Sequence, residues 1–189
     1  MKTYVVLLRG INLGSRNRVA MPKLRDLLSD AGFEDVRTYL QSGNVVLASE
    51  GSAASVARRC KQEIAKNLGL EIDVVVRTRA ELAAVIRRDP LGKVAKSPKR
   101  YQVSFLAAKP TAALVRKLEA AVVPPERFAA SGRELYAWHP DGVARSKLWA
   151  LLASPDLGVT ATARNWTTVT KLLELADREP TPARRAPRG

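Results

Sequence analysis

The chain has 189 residues, of which 46% are apolar, and its 32 Lys and Arg residues against 18 Asp and Glu residues give a formal net charge of +14. This length suits one globular domain or two small packed ones, and the charge favours a polyanionic partner such as RNA, DNA or a phosphorylated ligand. A single cysteine, Cys60, and a single histidine, His139, exclude an intrachain disulfide and a metal site built from several Cys or His residues. We therefore expect no metal and no cofactor.

Nothing in the sequence predicts a membrane segment or a secretion signal. Charged side chains at Lys2 and Arg9 interrupt the first apolar residues too early for the core of a signal peptide. No apolar run approaches the length of about 18 residues that spans a bilayer. We therefore expect a cytoplasmic protein with no membrane partner.

The first half of the sequence predicts the element order β-α-β-β-α-β, followed by one more helix. Apolar, β-prone runs predict strands at 4–8, 36–41, 45–48 and 72–76. Helical spacing of apolar residues predicts helices from 22 to 31, from Ser52 to Gly69, and from Thr78 to about Arg88. The turn Ser42-Gly43-Asn44 is expected to join the second and third strands as a tight hairpin.

The second half predicts the same order of elements, although no repeat of individual residues is visible. Strands are expected at 101–107, 127–130, 134–138 and 159–163, and helices after Thr111, after Ser146 and at 167–176. This order is typical of the ferredoxin-like unit. We predict an α+β protein of two packed ferredoxin-like (βαββαβ) subdomains, 1–88 and 101–177, each with an appended helix. A basic linker is expected at 89–100 and a disordered basic tail at 178–189.

Several short runs, in order along the chain, resemble a known family: LLRGINLG at 7–14, MPKLR at 21–25, GF at 32–33 with Val36, TYLQSGNVV at 38–46 and ARNWTTVTKL at 163–172. Together they resemble DUF1697, a bacterial family of unknown function, over roughly residues 2–177. The resemblance implies an α+β fold of two related subdomains. It implies no established activity, so no catalytic residue follows from it.

Two of these runs are the strongest functional signal, because each places an Arg and an Asn where an apolar, strand-like run stops. Strand ends and helix N-termini expose backbone N–H groups that can hold an anion. We expect Arg9 and Arg164 to bind a phosphate or carboxylate, with Asn12 and Asn165 donating beside them. The alternative is that the arginines form internal ion pairs and the asparagines cap a turn and a helix.

Five further residues complete the candidate ligand site. Trp166 would stack a base and Lys171 would add a cation one helical turn later, unless Trp166 packs between the subdomains. Tyr39 and Gln41 are expected to share one face of the hairpin that Asn44 closes. RNA-recognition domains bind bases on such a sheet face, although their aromatic signature is absent here. The alternative for these three is ordinary turn chemistry on a half-exposed hairpin.

Other charged and titratable groups carry weaker signals. Two basic clusters are candidates for tracking phosphates: Lys93, Lys96, Lys99 and Arg100, and Arg16, Arg18, Lys23 and Arg25. His139 would act as a general base with Asp141 nearby, but a lone histidine in a turn is more often structural.

The sequence thus predicts a binding protein for an anionic ligand, whether RNA, a nucleotide or another phosphorylated molecule. One alternative is an enzyme acting on a small phosphorylated or carboxylated metabolite, with Tyr39 as an acid. Another is a structural or assembly module, which follows if the polar clusters are buried and fully paired. The protein is expected to be a monomer or a homodimer formed through an open sheet edge. A single ligand site requires Arg9 and Arg164 to face one cleft.

Overall fold

A computed structural model describes residues 1–12 and 17–179, and within them the helices and strands follow the predicted order in both halves. The elements of the first half are β1 Lys2–Leu8, α1 Met21–Asp30, β2 Glu34–Tyr39, β3 Asn44–Ser49, α2 Ala53–Leu68, β4 Val74–Thr78 and α3 Arg79–Arg88. Those of the second half are β5 Tyr101–Leu106, α4 Ala112–Ala120, β6 Arg127–Ser131, β7 Glu134–Trp138, α5 Lys147–Leu152, β8 Ala161–Asn165 and α6 Trp166–Ala176.

Local capping signals position most of the helices. The predicted caps at Ser52, Thr78, Thr111 and Ser146 are confirmed, since each side chain accepts a hydrogen bond from a backbone N–H three residues later. Asn165 caps α6 in the same way, through the N–H of Thr168. These side chains satisfy N–H groups that a helix leaves unpaired in its first turn.

The strands form two antiparallel four-stranded sheets, one from each half. Their orders are β2-β3-β1-β4 and β6-β7-β5-β8, so each strand of the first sheet has a counterpart in the second. The pairing register of the strands shows that individual positions of the two sheets are also equivalent. Arg77 lies opposite Val5 and Arg164 lies opposite Val103, while Asn44 and Glu134 begin equivalent strands, β3 and β7. The halves therefore repeat at the level of positions, although the residues differ.

Three apolar clusters cover both faces of both sheets. The outer face of the first sheet packs on α1 and α2, and the outer face of the second packs on α4 and α5. Between the sheets, α3 and α6 complete a central cluster that includes Val5, Phe105 and Val169. Within the described residues neither sheet has an open face on which bases could stack, and Tyr39 packs against the central cluster.

Two strands lie further along the chain than the apolar pattern predicts. The expected strands at 72–76 and 159–163 are observed at Val74–Thr78 and Ala161–Asn165. The pattern placed the strand ends before Arg77 and Arg164 because arginine usually marks a solvent-exposed position. Both arginines are instead buried within their strands.

Two segments outside the sheets also bear on the predictions. The expected linker at 89–100 forms a series of turns, and the buried side chain of Leu91 anchors it. Most of the predicted tail, from residue 180 on, and residues 13–16, which follow Asn12, lie outside the described residues. No helix in the described part of the chain is both long and apolar enough to span a membrane.

Candidate functional site

Arg164, the expected anion ligand on β8, is buried, with 8% of its surface exposed. Its guanidinium donates only to uncharged oxygens of the protein. Nη2 bonds the carbonyls of Leu8 (2.9 Å), Ser42 (2.9 Å) and Gly43 (3.3 Å), Nε bonds Oδ1 of Asn44, and Nη1 bonds Thr162 Oγ1 (2.8 Å) and the Ala163 carbonyl (2.7 Å). Burial lowers the pKa of Arg164 to about 10. Every N–H of the guanidinium has an acceptor, which leaves none for a ligand.

Three of the runs identified in the sequence, 7–14, 38–46 and 163–172, meet at this arginine. Leu8 belongs to the first run, the Ser42–Asn44 turn to the second, and Arg164 to the third. Asn12 ties the first run to the second: its Nδ2 donates to the carbonyls of Val19 (2.9 Å) and Gln41 (2.6 Å). The structure thus brings four of the nine predicted site residues together, Asn12, Gln41, Asn44 and Arg164, but as a hydrogen-bond network within the protein.

Gly43 lies where two of the runs approach most closely. It has a φ of +76°, and a Cβ at this position would meet Ile11 and Leu8 side-chain atoms at 2.8 Å. Gly43→Ala is therefore expected to cost about 2–4 kcal/mol of stability, from overpacking added to the left-handed backbone penalty.

Urea unfolding of Gly43→Ala should be compared with that of Gly10→Ala. Gly10 has a similar φ of +68°, but a Cβ added there would have nothing within 4 Å, so its substitution reports the backbone penalty alone, about 1–2 kcal/mol. Equal losses for the two variants would show that close packing at Gly43 is unimportant.

The side chain of Arg9 contacts different residues from those around Arg164. Its Nη1 lies 3.6 Å from Oδ2 of Asp73, and its Nη2 donates to the Ser154 carbonyl at 3.4 Å. Lys61 lies 3.6 Å from the other oxygen of the same carboxylate. Arg9 thus has the internal carboxylate partner that the alternative interpretation expected, and it does not share a cleft with the buried guanidinium of Arg164.

The remaining predicted residues of the third run have protein partners as well. Asn165 caps α6, and Lys171 Nζ lies 2.7 Å from Glu174 Oε2. The ring of Trp166 stacks on that of Tyr101, with centroids 4.7 Å apart, and its backbone N–H donates to the Pro98 carbonyl at 3.0 Å. Trp166 is partly buried between the halves.

Arg77, which the sequence analysis did not single out, occupies the position in β4 that Arg164 occupies in β8. It is 1% exposed, and its Nη2 donates to the carbonyls of Leu106 (2.7 Å) and Arg133 (3.3 Å) in the second half. Its Nε bonds Oε1 of Glu134 at 2.8 Å. Each half therefore inserts one arginine into the end of the other sheet.

The two arginine sites differ in charge. Arg77 has a carboxylate partner, Glu134, to which Arg88 also comes within 3.5 Å. Burial lowers the pKa of Arg77, and its hydrogen bond to Glu134 opposes that shift. Arg164 has the neutral Asn44 in the equivalent place. The only local signal for these sites is an arginine directly before a helix cap, in Arg77-Thr78 and again in Arg164-Asn165.

His139 is completely buried and pairs with Glu126, not with Asp141. Its Nδ1 lies 2.7 Å from Glu126 Oε1, and Trp149 packs edge-on against its ring. Burial raises the pKa of Glu126, but hydrogen bonds from Ser146 and His139 outweigh it and hold the pKa below its usual value. With none of its surface exposed, His139 cannot reach a substrate in this conformation, which supports a structural role.

Five cavities in the described part of the chain lie away from the predicted ligand site. The one beside Glu126 has a volume of about 480 Å³ and is lined by segments 123–126 and 141–147. Four others lie on helix and hairpin surfaces. None of the nine predicted ligand-binding residues lines any of these five.

Comparison with known proteins agrees with the fold and is silent on activity. The family model described as "Protein of unknown function (DUF1697)" matches residues 1–136, which leaves Arg164 outside the match. The structure of the conserved bacterial protein SP0830 from Streptococcus pneumoniae is similar, with a TM-score of 0.77 and 21% identity over 93% of this chain and 99% of that chain. At this identity the likeness shows a shared fold alone. A search of curated proteins gave no significant match.

Proposed function

Because the chain belongs to DUF1697, a family of proteins of unknown function, no activity comes with its identity, and we propose from its surface that it binds the phosphate backbone of a nucleic acid. The net charge of +14 supports a polyanionic partner. The contact surface that we propose is residues 93–100, here called the basic segment.

The basic segment carries cations that the protein itself does not neutralise. Lys93, Lys96, Lys99 and Arg100 are all exposed. Among the described residues, no carboxylate lies within ion-pair distance of any of them. Neighbouring unpaired cations attract phosphates and release their counterions, which is the main source of affinity for nucleic acid backbones.

The basic segment is held against the body of the protein, and this observation carries the proposal. Leu91 is buried just before it, and Ala95 within it packs on the central cluster. The Pro98 carbonyl accepts the backbone N–H of Trp166 at 3.0 Å. The lysines are therefore presented from an anchored segment beside a partly exposed aromatic ring, a combination typical of surfaces that bind single strands.

We assign a structural role to the Arg and Asn residues of the runs 7–14 and 163–172. Arg164 ties the two halves together, whereas the ion pair of Arg9, the bonds of Asn12 and the cap at Asn165 lie within one half. The saturated hydrogen bonds of Arg164, the ion pair of Arg9 and the two carbonyls bound by Asn12 support this assignment. We also propose that each half is a ferredoxin-like unit. The support is the element order β-α-β-β-α-β together with the strand order β2-β3-β1-β4 and its counterpart.

Binding to a labelled single-stranded RNA, measured by fluorescence anisotropy, tests the proposed nucleic acid surface. The triple variant Lys93→Gln, Lys96→Gln, Lys99→Gln is expected to bind at least about tenfold more weakly at low salt. Its plot of log affinity against log salt should be shallower by about 2, since each lost contact removes about 0.7 from the slope for a single strand.

A matched control removes the same charge elsewhere. Lys2, Lys66 and Lys117 are also exposed, on β1, α2 and α4, and their substitution by glutamine lowers the net charge equally. If this control weakens binding as much as the first variant, net charge acts without a defined surface. The absence of RNA or DNA binding by the unmodified protein at about 50 mM salt would refute the proposal.

A further inference from the structure

We propose that two copies of this chain associate through β6, antiparallel and in a register centred on Ala129, so that the second sheet continues from one copy into the other. The starting observation is that the four edge strands of the two sheets, β2, β4, β6 and β8, are not equally protected against pairing with another chain. This interaction surface is separate from the basic segment and does not depend on the proposed nucleic acid binding.

Three edge strands carry features that prevent such pairing. β2 contains an irregularity between Glu34 and Arg37, where Asp35 has a φ of +49°. β4 and β8 carry the inward-pointing side chains of Arg77 and Arg164. Bulges and inward-pointing charges are common means by which edge strands avoid adding a further strand.

β6 has none of these features. All five of its residues pair with β7 in an unbroken register, and Phe128, Ala129 and Ala130 at its centre are uncharged. In the described part of the chain no backbone hydrogen bond joins residues 127–131 to any element other than β7. The outer edge of β6 therefore presents free backbone donors and acceptors to a second strand.

The hairpin turn determines which backbone groups face outward. β6 and β7 are joined by the two residues Gly132 and Arg133, with a φ of +64° at Gly132, so Ser131 and Glu134 form the closing hydrogen-bonded pair. Alternate residues of an antiparallel strand direct both polar groups to the same side. The N–H and C=O groups of Phe128 and Ala130 consequently point away from β7.

A register centred on Ala129 matches these groups in two copies. It places each Phe128 opposite the partner's Ala130, so that the two residues exchange both backbone hydrogen bonds. Arg127 then lies opposite the partner's Ser131, and no like charges face each other across the pair. The strand is therefore complementary to itself in this register.

The side chains fit the same arrangement. Phe128 is half-buried on the face that packs on α4, and Ala130 on that face is exposed. Ala130 lines a groove of about 570 Å³ together with the apolar residues Pro110, Ala112 and Val115, and Lys109 and Arg116 also line it. The partner's Phe128, placed beside Ala130 on that face, would cover these apolar groups.

We expect a weak dimer whose salt dependence is opposite to that of nucleic acid binding. One short strand pair buries less than the roughly 1,600 Å² of a standard stable interface. The net charge of +14 on each copy opposes association, and salt screens that repulsion. Dimerisation should therefore strengthen as salt is raised, whereas RNA binding should weaken. The two proposals can consequently fail independently.

Sedimentation velocity over a range of protein concentrations tests the association. The unmodified protein is expected to shift from monomer to dimer as concentration rises, and to do so at lower concentration in high salt. Ala130→Lys should abolish the shift by placing a charge opposite the partner's Phe128, while Ala150→Lys, the same change at an exposed site on α5, should not. A sedimentation coefficient that stays monomeric at every concentration, or equal behaviour of the two variants, would overturn the proposal.

Disulfide formation tests the register. Directly opposed residues of a non-hydrogen-bonded pair have Cβ atoms about 4.5–5.5 Å apart, close to disulfide reach. Ala129→Cys is therefore expected to give a reducible dimer with oxidised glutathione, and Ala130→Cys, opposite the partner's Phe128, much less of it. Cys60 does not interfere, because burial raises the pKa of its thiol to about 12. Equal cross-linking of both variants, or none of either, would refute this register. Circular dichroism melting curves confirm that each variant is folded.

Discussion

Replacing Glu134 by alanine is expected to lower the free energy of unfolding by about 3–5 kcal/mol, because it leaves the buried guanidinium of Arg77 without its carboxylate. Arg77 is 1% exposed, so its guanidinium would lose the carboxylate in a site that is largely shielded from water. Urea unfolding followed by circular dichroism measures the loss. A cost below about 1 kcal/mol would show that the pair contributes no more than a surface ion pair does.

The double variant Arg77→Met, Glu134→Leu separates the ion pair from the packing around it. Removing both charges leaves no unpaired buried charge, and exchanging a buried ion pair for apolar residues of similar volume is often neutral. The substitution still removes the Arg77 donor from the carbonyls of Leu106 and Arg133. We therefore expect the double variant to recover most of the stability that Glu134→Ala loses. If it is as unstable as the single variant, the hydrogen bonds from Arg77 to Leu106 and Arg133 must supply the stabilisation.

Arg164→Met is expected to cost about 2–4 kcal/mol, for a different physical reason. Arg164 has no carboxylate partner, but its removal takes a guanidinium donor away from the buried Leu8 carbonyl, from the buried Oδ1 of Asn44 and from the partly buried Ser42 carbonyl. The Gly43 carbonyl still accepts the backbone N–H of Leu8. An unsatisfied buried polar group costs about 1–3 kcal/mol, and relief from burying the charge offsets part of the sum. Thermal and urea unfolding would measure this cost.

Arg9→Met provides the matched comparison. Its ion pair with Asp73 is partly exposed, with N and O 3.6 Å apart, so its loss should cost less than about 1 kcal/mol. Neither substitution should change RNA affinity beyond the effect of one charge, when measured at a temperature where both variants are folded. If Arg164→Met kept its stability but lost RNA binding, Arg164 would be a ligand residue and not a structural tie.

The two buried arginines have a common consequence for the fold. Each arginine belongs to one half and hydrogen-bonds acceptors in the other. Arg77 bonds the ends of β5 and β7, and Arg164 bonds the ends of β1 and β3. The polar ends of each sheet are therefore completed by a side chain from the other half. This reciprocal contact, together with the central apolar cluster, joins the two halves into one structure.

Much of the local structure could be predicted from particular residues. Ser52, Thr78, Thr111 and Ser146 start helices where expected, because a cap needs only a hydroxyl three residues before a backbone N–H. The strand ends at β4 and β8 could not be predicted in this way, because arginine is by type a residue of the exposed surface. The burial of Arg77 and Arg164 depends on acceptors in the opposite half, which no local window contains.

The sequence by itself determined the order of strands and helices, the helix caps, the family resemblance and the large positive charge, because apolar spacing, capping chemistry and composition act over a few residues. Only the tertiary structure decided which groups the runs 7–14 and 163–172 contact. Arg164 meets Leu8, 156 positions away, and Ser42, 122 positions away. An arginine at a strand end can serve a ligand or the protein equally well, and the deciding factor is whether distant backbone carbonyls surround it and exclude water.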